Sequence, residues 1–142
     1  MVQLSVGKYH YIVLRKRLKE VNMLKHRISV ATQFSKRPMG RHLRDGRFSG
    51  EAFREQVLLP EFNLLINESE GKPFELIIDF TDVTMTGSSF LEEAFGGLIR
   101  NHEIDSDLFK RSLVIYSPRR SSLSEIIFEY IDSAIEEKKL LG

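Results

Sequence analysis

Cysteine is absent from the 142-residue chain. That absence excludes disulfides, thiolate metal sites and cysteine nucleophiles. An excess of charge of either sign is missing too. Lys and Arg number 21 against 20 Asp and Glu, so total charge gives no argument for nucleic acid or an anionic membrane as the main partner. No apolar run approaches the roughly 18 residues of a membrane span. The opening stretch MVQLSVGKYHYIVLRKRLKEV puts its short apolar run, Tyr11 to Leu14, ahead of its basic cluster. A secretory signal has the opposite order, so a cytoplasmic location is expected.

Catalytic spacings are also lacking. His10, His26, His42 and His102 are scattered without a metal-binding interval, and neither a G-x-S-x-G elbow nor a phosphate-binding G-x-x-x-x-G-K-[ST] loop occurs. No enzyme class, metal or cofactor is indicated, and a non-enzymatic protein is expected.

What is present is an ordinary globular composition, with 42% hydrophobic and 29% charged residues. The length suits one domain with one core. Residues 1–26 read as an N-terminal extension, either a strand over Tyr9–Leu14 or the start of a basic helix, and residues 27–142 as the domain proper. RISVATQFS, from Arg27 to Ser35, alternates Ile28 and Val30 with small polar residues and predicts a half-buried strand. KRPMGRHLRDGRFSG, rich in glycine and basic residues, is loop chemistry. Ser49 is placed to cap a helix carrying Ala52, Phe53, Val57 and Leu58, which Pro60 should kink or restart. Phe74–Phe80 is an apolar strand suited to burial on both faces. The next helix shows Phe90, Leu91, Ala94, Phe95, Leu98 and Ile99 as one stripe. Gly96 and Gly97 inside it suggest close packing. Arg111–Ser117 reads as a further strand, and about Ser122 to Leu140 as an amphipathic helix. The expected fold class is α/β, a single domain with a mainly parallel or mixed sheet and helices after the strands. Sites in such sheets lie beyond the carboxyl ends of the strands. The Phe34–Arg47, Thr81–Ser89 and Ser117–Ser122 loops should therefore share one edge.

The strand-to-helix stretch IIDFTDVTMTGSSFLEEAFGGLIR, Ile77 to Arg100, carries the most specific pattern. It resembles the STAS domain of anti-sigma factor antagonists. Asp79 falls on the strand-end acid, Thr81 on the following hydroxyl and Val83 on the apolar spacer. Ser88 falls on the phosphorylated position, Ser89 on the next hydroxyl and Leu91 on the first core residue of the helix. Gly87 stands where the family usually has Asp, and Phe90 where it usually has Gly. With the upstream ISVATQFSKRPMGRHLRDGRFSGEAFRE, the chain looks similar to a bacterial STAS-like family with no established function. The resemblance implies a regulatory module that docks onto a protein partner, an ATPase of the histidine-kinase type. Asp79, Thr81, Thr84, Thr86, Gly87, Ser89 and Phe90 would form the motif or partner surface, and Ser88 the phosphorylation site.

Two other readings stand beside these. Ser89 with Glu92 three residues on makes a capping box, which needs no modification of Ser88. The loop cations Lys36, Arg37, Arg41, Arg44 and Arg47 could hold an anion, a nucleotide or nucleic-acid phosphate, with Arg119 and Arg120 on the same edge.

Overall fold

The computed structural model describes residues 23–142; the expectation for Tyr9–Leu14 lies outside them. Three parallel strands, β1 (Leu24–Ser29), β2 (Phe74–Asp79) and β3 (Leu113–Tyr116), stand in the order β1-β2-β3. The chain is α/β, as its pattern implies.

β1 begins at Leu24, ahead of the Arg27 boundary, and stops at Ser29 instead of running on to Ser35. Ser29 caps a short helical turn, α1 (Val30–Gln33), its side chain accepting from the Thr32 N–H. A serine that satisfies a free helix donor ends the strand there. Period-two alternation could not show this, since Val30 is buried in either conformation.

After the basic loop, helical backbone runs without interruption from Gly50 to Ser69. It comprises α2 (Gly50–Phe53), a π-helical turn (Arg54–Leu58) and α3 (Leu59–Ser69). Ser49 caps it, accepting from the Ala52 N–H at 3.1 Å. Pro60 follows the widened turn directly. Its ring would meet the carbonyl four residues back in a regular helix, and the wider turn supplies the room. β2 leads by a loop into a second composite helix, α4 (Ser88–Leu91), a π-helical turn (Glu92–Gly96) and α5 (Gly97–Asn101). The predicted stripe from Phe90 to Ile99 is entirely inside, every member at 0% exposure. α6 (Ser106–Ser112), capped by Asp105, occupies sequence read only as connection and the first part of a strand, so β3 starts at Leu113. α7 (Leu123–Leu141) buries Leu123, Ile127, Ile131 and Ala134.

Burial along the strands alternates. Ile28, Leu76, Ile78 and Leu113 enter the core, while Lys25, Arg27, Val114 and Tyr116 are exposed. Arg27 pairs with Asp79 and lies over the Tyr116 ring. Among the described residues no helix is long and apolar enough to cross a membrane.

The two composite helices cross closely at their starts. A Cβ on Gly50 would lie 2.5 Å from the Phe90 carbonyl oxygen and 3.0 Å from the Ala94 nitrogen. One turn on, Arg54 (6% exposed) reaches Glu93 (5%), donating to its carboxylate at 2.7 Å and its carbonyl at 2.9 Å. Gly97 leaves the space that this guanidinium fills. The glycine pair therefore does permit close packing, of a charged group at Gly97 and of the α7 backbone at Gly96, where the Tyr130 carbonyl lies 3.3 Å from a built Cβ. Lys138 of α7 donates to the carbonyls of Ile99 and His102, satisfying the end of α5.

Candidate functional site

The three loops after the strands share the carboxyl edge of the sheet. Thr84 joins two of them, its N–H and hydroxyl both donating to the Lys36 carbonyl at 2.8 and 3.2 Å.

Asp79 is 3% exposed at the end of β2. Its Oδ1 accepts from the Thr81 N–H at 2.8 Å and the Thr81 hydroxyl at 2.6 Å, and its Oδ2 takes Arg27. These bonds occupy the carboxylate in holding the turn that starts the hydroxyl loop. Asp82, at φ 66, carries the chain through a left-handed position that aspartate tolerates. The loop then runs past exposed Met85 to Gly87.

The helix begins two residues earlier than a cap at Ser89 requires. Gly87 is the N-cap, no side chain caps it, and Ser88 is the first helical residue. The capping box does not form because Glu92 is taken elsewhere. It bonds Arg41 from the basic loop at 2.6 Å and Arg100 at 2.5 and 2.9 Å. Bonds to two cations outweigh one to a neutral backbone N–H. Ser88 is exposed and Ser89 half-buried. Phe90, expected on a motif or partner surface, is instead fully buried against Phe34 and Phe53, with ring centroids 6.1 and 5.7 Å away. An aromatic ring directly after a solvent-facing serine turns inward with the helical period.

Exposed apolar side chains lie near the start of this helix. Met39 lies beside Gly87, its Sδ 3.3 Å from where a Cβ would stand, and is 44% exposed; Met85 is 54% exposed. Phe48, which accepts a backbone bond from Met39, is also exposed. Sequence reading missed these methionines, which sit in loops without periodicity.

The loop arginines do not all meet at one place. Arg41 is committed to Glu92, and Arg47 lies over the Phe48 ring. Arg44 and Arg47 border a cavity of about 630 Å³ that Asp45 also lines. His42, His26 and His102 each approach glutamates.

Residues 49–118 match the family model of the STAS-like domain of unknown function (DUF4325). The chain carries a STAS-like domain. No curated protein and no solved structure matches it. The matched segment of the STAS-like domain starts at the Ser49 cap and ends just after β3, so it contains Asp79, the hydroxyl loop and both composite helices. A STAS-like domain of this kind fits a regulatory module in general terms.

The charge network behind the loop sets an acid limit. Burial works against ionisation of Glu92, yet its hydrogen bonds to Arg100 and Arg41 hold the carboxyl below the ordinary glutamate range. Glu55 is treated alike, with burial opposed by His102 and Arg54. A carboxyl whose folded-state pKa is depressed contributes stability that is fully present above the unfolded value, about 4.3 for glutamate, and lost as pH falls through the folded value. Urea midpoints measured at pH 7 and pH 3.5 should thus fall further in the wild type than in Glu92→Gln. Equal falls would remove Glu92 from the acid transition.

Proposed function

We propose that this STAS-like domain is a non-enzymatic regulatory module of the anti-sigma-antagonist type. It works in the cytoplasm and docks through the Thr84–Ser89 surface onto an ATPase of the histidine-kinase type, with Ser88 as its phosphorylation switch. One observation carries the reading: Ser88 stands exposed at the first turn of a long helix, next to Gly87 where exposed Met39 packs, with exposed Met85 in the loop just before. Methionines are flexible and polarisable and suit a surface that must fit a partner. A phosphoryl group on Ser88 would add about −1.5 to −2 charge at the centre of that surface. The positive end of the helix favours the group locally, so the domain stays folded while apolar docking is disrupted.

The test pairs the purified chain with a histidine-kinase-type ATPase from the same source. Ser88→Asp should weaken association about ten-fold or more, the order of one unpaired charge buried in an interface, whereas Ser88→Ala should bind as the wild type does. Both variants should unfold at the wild-type urea midpoint, within about 0.5 kcal/mol, as exposed substitutions usually do. Incubation with ATP should give a single phosphate mapped to Ser88 by mass spectrometry. Unchanged affinity in Ser88→Asp would refute the switch, and no association in any form would refute this ATPase as the partner.

A further inference from the structure

A second cavity opens on the same edge, between the loop after β2 and the loop after β3. Its volume is about 270 Å³, and Phe80, Val83 and Leu123 give it an apolar floor. Its rim carries Thr86, Ser117, Arg119 and Arg120. Both arginines are exposed, and neither is paired with a carboxylate among the described residues. Four other cavities each contain a carboxylate: Asp45 in one, Asp107 and Asp132 in another, then Glu75, then Glu68. This one has cations and hydroxyls in its wall and no acid. Thr86 adds a further sign. Its Oγ1 is closed off from solvent and has no hydrogen-bond partner. Such a buried hydroxyl is costly. Thr86 belongs to the cavity wall, where the acceptor oxygen of a bound molecule would supply the missing partner.

We propose that this cavity binds a small phosphate-bearing molecule, with Arg119 and Arg120 taking the phosphate, Thr86 and Ser117 donating hydroxyl bonds to it, and the apolar floor receiving the rest. Guanidinium groups match phosphate oxygens in geometry as well as charge. The volume is just under the usual range for ligand pockets, about 300–1,000 Å³, which points to a compact phosphomonoester rather than a dinucleotide. Position agrees, since ligands of open α/β sheets bind beyond the carboxyl ends of the strands. The site is distinct from the basic loop around Arg44 and Arg47; it shares Thr84, Met85 and Thr86 with the proposed docking surface, but its ligand binding needs no partner.

The test uses the full chain without any partner. Inorganic phosphate, AMP and adenosine are titrated at low salt and followed by amide NMR shifts and by calorimetry. Phosphate and AMP should shift the amides of Thr84–Thr86 and Ser117–Leu123, with AMP binding more tightly and adenosine more weakly than phosphate-bearing probes. Arg119→Ala with Arg120→Ala should lower AMP affinity at least ten-fold, in line with the loss of charge-assisted bonds. Arg44→Ala with Arg47→Ala should leave it unchanged. Because all four side chains are on the surface, circular dichroism should show every variant folded. Absence of shifts in the two loops at millimolar phosphate would overturn the assignment, as would loss of binding in the Arg44/Arg47 variant instead.

Discussion

Replacement of Arg54 by alanine is expected to destabilise the protein by about 3–5 kcal/mol, the cost of stranding a buried charge. The guanidinium bonds the Glu93 carboxylate and carbonyl and the Glu55 carboxylate, and it occupies the space above Gly97. Without it Glu93, 5% exposed, keeps Arg41 and Arg100 only at 3.6 Å. Against a usual total stability of about 5–15 kcal/mol, that loss is large enough to leave a substantial unfolded fraction at 37 °C. The double change Arg54→Met with Glu93→Leu removes both charges and keeps apolar volume, so it should recover most of the loss. Urea denaturation of the two variants beside the wild type decides the matter. A single variant within about 1 kcal/mol of wild type would mean that the pair contributes nothing beyond a surface ion pair.

Gly50→Ala should cost about 3 kcal/mol, at the upper end of the penalty for overpacking. Helix propensity alone favours alanine over glycine by up to about 1 kcal/mol, so intrinsic preference and packing predict opposite signs. Packing wins because the obstructing atoms are backbone: the Phe90 carbonyl at 2.5 Å and the Ala94 nitrogen at 3.0 Å cannot swing away. The contrast is Gly96, where the nearest atom to a built Cβ is the tip of the partly exposed Glu92 side chain. Gly96→Ala should therefore cost less than Gly50→Ala. Thermal unfolding should show a fall of about 6–12 °C for Gly50→Ala, at about 2–4 °C per kcal/mol for a chain of this size. A melting point unchanged or raised would show that the two helices separate readily.

The parts of this fold that could be read in advance are those where one local signal decides. The Ser49 cap, the inward stripe from Phe90 to Ile99, strand β2 and the long C-terminal helix all follow from spacing and capping chemistry within a few residues. Failures came where one signal met a competing one, distant in the first case and close by in the second. Ser89 and Glu92 have the spacing of a capping box, but Arg41, 51 residues away, draws the glutamate off. Arg111 and Ser112 precede an apolar run and look like its first residues, yet the Asp105 cap makes them the end of a helix. The edge on which the candidate site lies followed from the alternation of strands and helices, which implies parallel strands. The exposed methionines Met39 and Met85 did not, because loop residues meet through tertiary contact alone.

The segment that displays Ser88 is bolted down just behind its first turn, by the Gly50 crossing and by the Arg54–Glu93 pair. A chemical mark added at that corner therefore acts as ink on a fixed page rather than as a lever. It changes what a visitor meets while leaving the page unmoved. Erasing it should restore the original surface at the speed of the erasing chemistry, with no slow rearrangement to wait for.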